Sequence, residues 1–125
     1  MVKAVARIDG GSVVVDNCME PVFCRSLERD GYLVNRVLDP LEASYQCIMD
    51  GIRVDGGTGW RCALAIAMAT GVSIQVLIVY IDLRRRGRKP RNGARERTLW
   101  VEWGSRRYEF LILEEGDVFT FKELG

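Results

Sequence analysis

Histidine is missing from all 125 residues. Its absence removes the commonest general acid and base near neutral pH and the commonest metal ligand. Lysine, tyrosine, glutamate and aspartate can still move protons, so catalysis is disfavoured rather than excluded. Cys18, Cys24, Cys47 and Cys62 form no Cys-x-x-Cys pair. With no imidazole, the usual zinc patterns are absent as well, and neither a metal nor a cofactor is expected. Four cysteines allow three pairings; buried thiols or one structural bridge are the expectation. No signal peptide is visible either, because Arg7 and Asp9 arrive before an apolar stretch of the required length can form. A cytoplasmic location follows as the expectation.

What is present is globular in character. Apolar residues make up 48% and charged residues 28%, enough to bury a core and too apolar for a disordered chain. The length fits one ordinary domain or two small lobes. A net charge of +1 conceals an uneven distribution. Eight of the eighteen Lys and Arg residues lie between Arg84 and Arg97, where Glu96 is the sole acid.

Val2 to Asp9 and Ser12 to Asp16 are apolar-rich runs around Gly10-Gly11, the pattern of a hairpin. Glu20 to Asp30 reads helical up to Gly31, and Tyr32 to Val37 reads as a short strand. Asp39-Pro40-Leu41-Glu42 is the clearest helix start, with Asp39 as N-cap, Pro40 at N1 and Glu42 at N3 of a capping-box-like arrangement. Leu41, Ser44, Tyr45 and Ile48 share one face of that helix, and Gly51 is its expected stop. Asp55-Gly56-Gly57-Thr58-Gly59 lacks the lysine and spacing of a phosphate loop, and reads as a turn with Thr58 as N-cap. Trp60, Ala63, Leu64, Ala67 and Met68 then form a helical stripe, most simply core.

Cys62 to Ile81 carries no charge and precedes Arg84-Arg85-Arg86, a length and flank that a bilayer span also shows. Thr70-Gly71-Val72-Ser73 interrupts it and the alanines weaken its first half, so two buried helices joined by a glycine turn fit better. Val72 to Leu83 is rich in β-branched residues, and on its residues alone a strand is also open. Gly87 then supplies a helix stop, with arginines against the negative end of a helix dipole. Arg88 to Arg95 reads as an exposed loop or bent strand. Thr98 to Trp103, Arg107 to Leu113 and Asp117 to Lys122 read as three strands joined by hairpin turns. The fold class expected is α+β: a mixed sheet and helix lobe over residues 1–71, then a lobe with antiparallel C-terminal strands over residues 72–125.

The wording Tyr80-x-Asp82-Leu83-Arg84-x-Arg86-Gly87 resembles the tRNA-splicing endonucleases of archaea. So does the phrase from Asp39 to Val54, with its Leu-Glu-Ala helix. The C-terminal pair Glu109–Leu113 and Val118–Phe121 adds to the likeness, and the three stretches stand in the family's order. The resemblance implies that Val72 to Leu83 is helical and leads into a nuclease-like domain. Family enzymes cut precursor tRNA at a bulge-helix-bulge fold with a Tyr, His and Lys triad. The RNA's own 2′-hydroxyl attacks, a cyclic phosphate is left, and no metal is needed.

This chain departs from the pattern where that chemistry belongs. Arg88 to Arg97 replaces the family's glycine- and phenylalanine-rich strand, and no histidine follows. Ser105-Arg106-Arg107 stands where the lysine is expected, and arginine is a poor proton carrier. The resemblance therefore implies no catalytic residue here, and a truncated, non-catalytic structural subunit of a heterotetramer of two plus two. In the family, an acidic loop between the last two strands enters a basic pocket of a neighbouring subunit; Glu114, Glu115 and Asp117 match that place. The expected interface strands carry Tyr108, Phe110, Ile112, Phe119 and Phe121. Arg84, Arg85, Arg88, Lys89, Arg91, Arg95 and Arg97 are candidates for RNA contact. The expected partners are a catalytic subunit and precursor tRNA, with no membrane. Two other readings use the same residues: a stand-alone RNA-binding module, and a histidine-independent nuclease working through Tyr108 or Lys89.

Overall fold

Two β-branched runs around a glycine pair produce the first hairpin. In the computed structural model, β1 (Ala4–Asp9) and β2 (Ser12–Cys18) pair antiparallel, with Asp9 opposite Ser12. The residues described are 1–93, 95–112 and 118–124, the last stretch by its strand course alone. Ala4, Ala6, Val13 and Val15 are buried, the period of two that a half-buried sheet imposes. The chain divides into two units, Met1–Val72 and Ser73–Gly125. The class is α+β, as expected.

In the first unit a five-stranded sheet has the order β3-β4-β2-β1-β5. Helix α1 (Pro21–Arg29) ends on Asp30, as the sequence indicates. Tyr32 to Val37, expected as one strand, is instead a tight hairpin of β3 (Leu33–Val34) and β4 (Val37–Leu38). Asn35 and Arg36 both adopt positive φ, 50° and 68°, the conformation a two-residue hairpin turn requires. Arginine at the second position hid that turn. β5 (Ile52–Val54) returns parallel to β1 and makes the sheet mixed.

Helix α2 (Pro40–Ile48) begins as its capping residues dictate, with the Asp39 carboxylate accepting from the Glu42 N–H at 3.1 Å. The Asp39 N–H donates to the Tyr32 carbonyl at 2.8 Å, and the Glu42 carboxylate accepts from Gln46 Nε2 at 2.8 Å. α2 is not a one-faced helix: Leu41, Glu42, Ala43, Ser44, Gln46 and Cys47 are all buried. Its stop also differs from expectation. Asp50 takes the left-handed turn (φ 59°), while a Cβ at Gly51 would lie 2.5 Å from Gln46 Oε1 and would make that side-chain amide shift.

Helix α3 (Gly59–Thr70) starts after Thr58, whose side chain makes no capping bond. Its buried side is Cys62, Ala63, Ile66 and Ala67. Trp60, Leu64 and Met68 are exposed, so only the alanines of the expected core stripe are in the core. α2 and α3 are tied by Ser44 Oγ donating to the Ala63 carbonyl at 3.3 Å and by a Cys47–Cys62 disulfide. A second disulfide joins Cys18 to Cys24, connecting the end of β2 to α1. All four cysteines are paired, where at most one bridge was expected; only the fold brings residues from separate elements within bonding reach.

The second unit opens with α4 (Ile74–Arg85), a helix despite its β-branched content, capped by Ser73 Oγ accepting from the Val76 N–H at 3.5 Å. A four-stranded antiparallel sheet follows in the order β6-β7-β8-β9: β6 (Arg91–Asn92), β7 (Thr98–Trp103), β8 (Arg106–Ile112) and β9 (Val118–Leu124). Gly104 (φ 66°) and Ser105 turn β7 into β8, with Trp103 opposite Arg106. Among the described residues no helix is long and apolar enough to cross a membrane.

The Cys47–Cys62 bridge spans a sequence separation of 15, and closing such a loop stabilises the fold by about 3 kcal/mol. Urea unfolding with and without reductant checks this: the midpoint should fall clearly on reduction. An unchanged midpoint would show that the sulfurs are thiols in solution.

Candidate nucleic-acid interface

The cationic segment is positioned by the way α4 ends. The Gly87 N–H donates to the Arg84 carbonyl and the Arg88 N–H to the Leu83 carbonyl, both at 3.0 Å. This paired closure needs a left-handed residue at Gly87 (φ 80°), which glycine adopts at little cost. Asp82 and Arg86, a turn apart on α4, form an exposed ion pair at 3.0 Å. Tyr80 and Leu83 of the same motif are buried. The motif is therefore largely scaffold: it ends a helix and aims the chain.

Beyond Gly87 the chain is anchored rather than loose. Pro90 is fully buried, which turns its neighbours Lys89 and Arg91 toward the surface. The Arg88 guanidinium lies 3.8 Å from the Trp103 ring centroid, a cation–π contact worth about 0.5–1 kcal/mol at an exposed site. Arg91 pairs with Trp100 across β6 and β7. Thr98 staples the following loop: its hydroxyl donates to the Arg95 carbonyl at 2.6 Å and accepts from the Arg95 N–H at 3.3 Å. The Gly93 N–H donates to the Thr98 carbonyl at 2.8 Å, and Gly93 has no room for a Cβ against Thr98 Oγ1 and Glu109 Oε1.

Alternation along β7 and β8 gives the sheet two unlike faces. Leu99, Val101 and Ile112 are buried, Tyr108 and Phe110 half-buried, on one face. Phe110 and Trp103 line an apolar groove of about 430 Å³ with Ile78, Val79 and Leu83 of α4. Trp100 and Glu102 belong to the other face, with Arg91 across one ladder and Arg107 across the next. Arg107 stacks 4.3 Å from the Trp100 centroid and reaches Glu102 at 3.4 Å. Gly87, Arg88, Lys89, Arg91, Trp100 and Glu102 line an open cleft of about 300 Å³.

The candidate RNA-contacting residues thus separate. Arg88, Lys89 and Arg91 share the cleft, while Arg85 and Arg95 are exposed and Arg84 half-buried. Arg97 turns inward, its Nε donating to the Ile112 carbonyl at 3.1 Å. Phe119 sits on β9 opposite Leu111, with Phe121 on the same strand. Glu114, Glu115 and Asp117 lie outside the described residues. Glu102, Trp103 and Arg107 were not singled out from sequence as site residues. The signal was available: a period of two places Trp100 with Glu102, and the two-residue turn sets Arg107 beside them.

Residues 2–71 match the family model for the tRNA-intron endonuclease SEN2-like, N-terminal domain, more than half of the chain. The chain belongs to the tRNA-intron endonuclease family. No curated protein matches the chain. The matched residues correspond to the first unit, Met1–Val72. The cationic cleft, by contrast, is built wholly from residues of the second unit, after the matched stretch of this tRNA-intron endonuclease family member.

Thr98 is 3% exposed, so replacing its hydroxyl with a methyl leaves the loop bonds unmade. The Thr98→Val variant should lose about 1–2 kcal/mol. Hydrogen exchange should show faster exchange at Gly93 and Arg95 with little change at Val101. Exchange rates that stay the same at Gly93 and Arg95 would count against the staple.

Proposed function

We propose that this chain is a non-catalytic structural subunit of a tRNA-intron splicing endonuclease. It assembles with a histidine-bearing catalytic subunit, two of each, and positions it for cleavage of bulge-helix-bulge precursor tRNA. The observation that carries this reading is family membership combined with a sequence that contains no histidine. Attack by a 2′-hydroxyl needs a group to take its proton and another to protonate the leaving oxygen. Arg106 and Arg107 stand where the family's lysine is expected, and a guanidinium stays protonated at any working pH. On this reading the proton transfers come from the partner.

What this chain contributes is assembly and charge. β9 closes the order of its sheet as an edge strand, and an edge offers unpaired backbone groups for a strand of another subunit. Glu114, Glu115 and Asp117, by their place between the last two strands in sequence, supply carboxylates for arginines or lysines of a neighbour. The cationic cleft adds positive surface facing the RNA. That cleft also favours the second reading, a stand-alone RNA-binding module, which would need no catalytic partner.

An add-back cleavage assay on a bulge-helix-bulge RNA separates the readings. This chain alone should not cut, and a histidine-containing family subunit should cut efficiently only in the mixture. Cleavage by this chain alone, or a partner that gains nothing from it, rejects the structural-subunit reading. A second expectation concerns the tip. The triple variant Glu114→Gln, Glu115→Gln, Asp117→Asn should sediment with the partner as a heterodimer rather than a heterotetramer; an intact tetramer would remove the tip from the interface.

A further inference from the structure

We infer that the cleft between Gly87–Arg91 and β7 is a pocket for one unpaired nucleotide of an RNA strand, and that it prefers a base with an exocyclic amine. This deepens, and rests on, the reading of the chain as an RNA-contacting subunit.

The cleft's size comes first. About 300 Å³ is the lower end of small-ligand sites, too small for a duplex and suited to one nucleotide. Its lining combines two chemistries. Arg88, Lys89 and Arg91 are cations that take a phosphate through charge-assisted hydrogen bonds. Trp100 and Glu102 complete the lining, with Trp100 directly beside Arg91 across the β6–β7 ladder. The Arg107 guanidinium stacks on the Trp100 ring at 4.3 Å, and the indole also lines the cleft, where a base entering it would meet an aromatic surface. Stacking of this kind does not distinguish bases.

Glu102 does. A carboxylate beside a stacked base accepts from an exocyclic amine, as on N4 of cytosine, and meets only a carbonyl oxygen at the same position in uracil. Glu102 is held by Arg107 at 3.4 Å but keeps an exposed side chain, so it is both oriented and reachable. Arg107 thus orients both the stack and the acceptor. The Arg88 Nε is buried without a hydrogen-bond partner, and the Trp103 ring fixes the side chain from one side. A cation held in place before the ligand arrives loses less side-chain freedom on binding.

The test is equilibrium binding of labelled hexacytidylate and hexauridylate to the full chain, followed by fluorescence anisotropy at fixed salt. Hexacytidylate should bind about fivefold or more tightly than hexauridylate. The double variant Lys89→Ala, Arg91→Ala should weaken hexacytidylate about tenfold, while Arg25→Ser, an exposed charge on α1, should leave it unchanged. Glu102→Gln should abolish the preference between the two oligomers. Diffuse attraction predicts the opposite: tighter binding of both to Glu102→Gln, and similar losses for the cation variants wherever they lie. Either of those results, or equal affinity of the two oligomers for the unaltered chain, overturns the pocket. Cytidine monophosphate binding as tightly as hexacytidylate would identify a free-nucleotide site and overturn the RNA assignment. Stimulated cleavage without base preference would sink this inference alone; base preference without stimulation would sink the subunit reading alone.

Discussion

The second unit depends on how one helix stops. At the end of α4 the Leu83 and Arg84 carbonyls accept from the N–H groups of Arg88 and Gly87 at 3.0 Å, and the Leu83 carbonyl also from the Arg86 N–H at 3.1 Å. That closure is available only if residue 87 is left-handed, so a single glycine decides where the chain goes next. Burial of Pro90 then fixes the second point of the segment, and the Arg91–Trp100 pairing fixes the third. Between these points Lys89 stays exposed and Arg91 half-buried, since burying an unpaired charge costs far more than leaving it in water. A basic stretch that reads in isolation as a solvated loop is therefore held against a sheet.

How much of this was legible in the sequence follows the range of the interaction involved. Local signals survived: the Gly10-Gly11 hairpin, the Asp39 cap at 3.1 Å and the Gly87 stop all rest on residues within a few positions of each other. Non-local ones did not. The spacing of α2 gives it one apolar face, yet Glu42 and Gln46 are buried together, with Gln46 Nε2 donating to the Glu42 carboxylate at 2.8 Å. α3 shows the converse, since Trp60, Leu64 and Met68 are exposed although their spacing is that of a core stripe. The disulfide pairing was likewise beyond a linear reading, because three connectivities are equally open until the sheet has placed α1 and the α2–α3 pair.

The cleft was half legible. Its cations were evident from composition, but the residues that make it a site rather than a patch come from strand geometry. Trp100 and Glu102 share a face by the two-residue period, and Arg107 joins them only because β7 and β8 turn at Gly104-Ser105 in the register observed. A slip of one residue would put Leu99 and Val101 on that face and Trp100 into the core. Register here is enforced by the burial of Leu99, Val101 and Ile112. The packing of one face thereby determines the chemistry of the other.

Charge is distributed between the units in the same sense. Seven of the eighteen Lys and Arg residues and nine of the seventeen Asp and Glu residues fall in residues 1–72. The first unit is thus slightly acidic and the second basic, although the whole chain is almost neutral. At physiological ionic strength a charge is felt over about 8 Å. A polyanion therefore responds to the local cluster and not to the net charge of +1. A nearly neutral chain can in this way present a local cationic surface to a polyanion while its first unit stays slightly acidic.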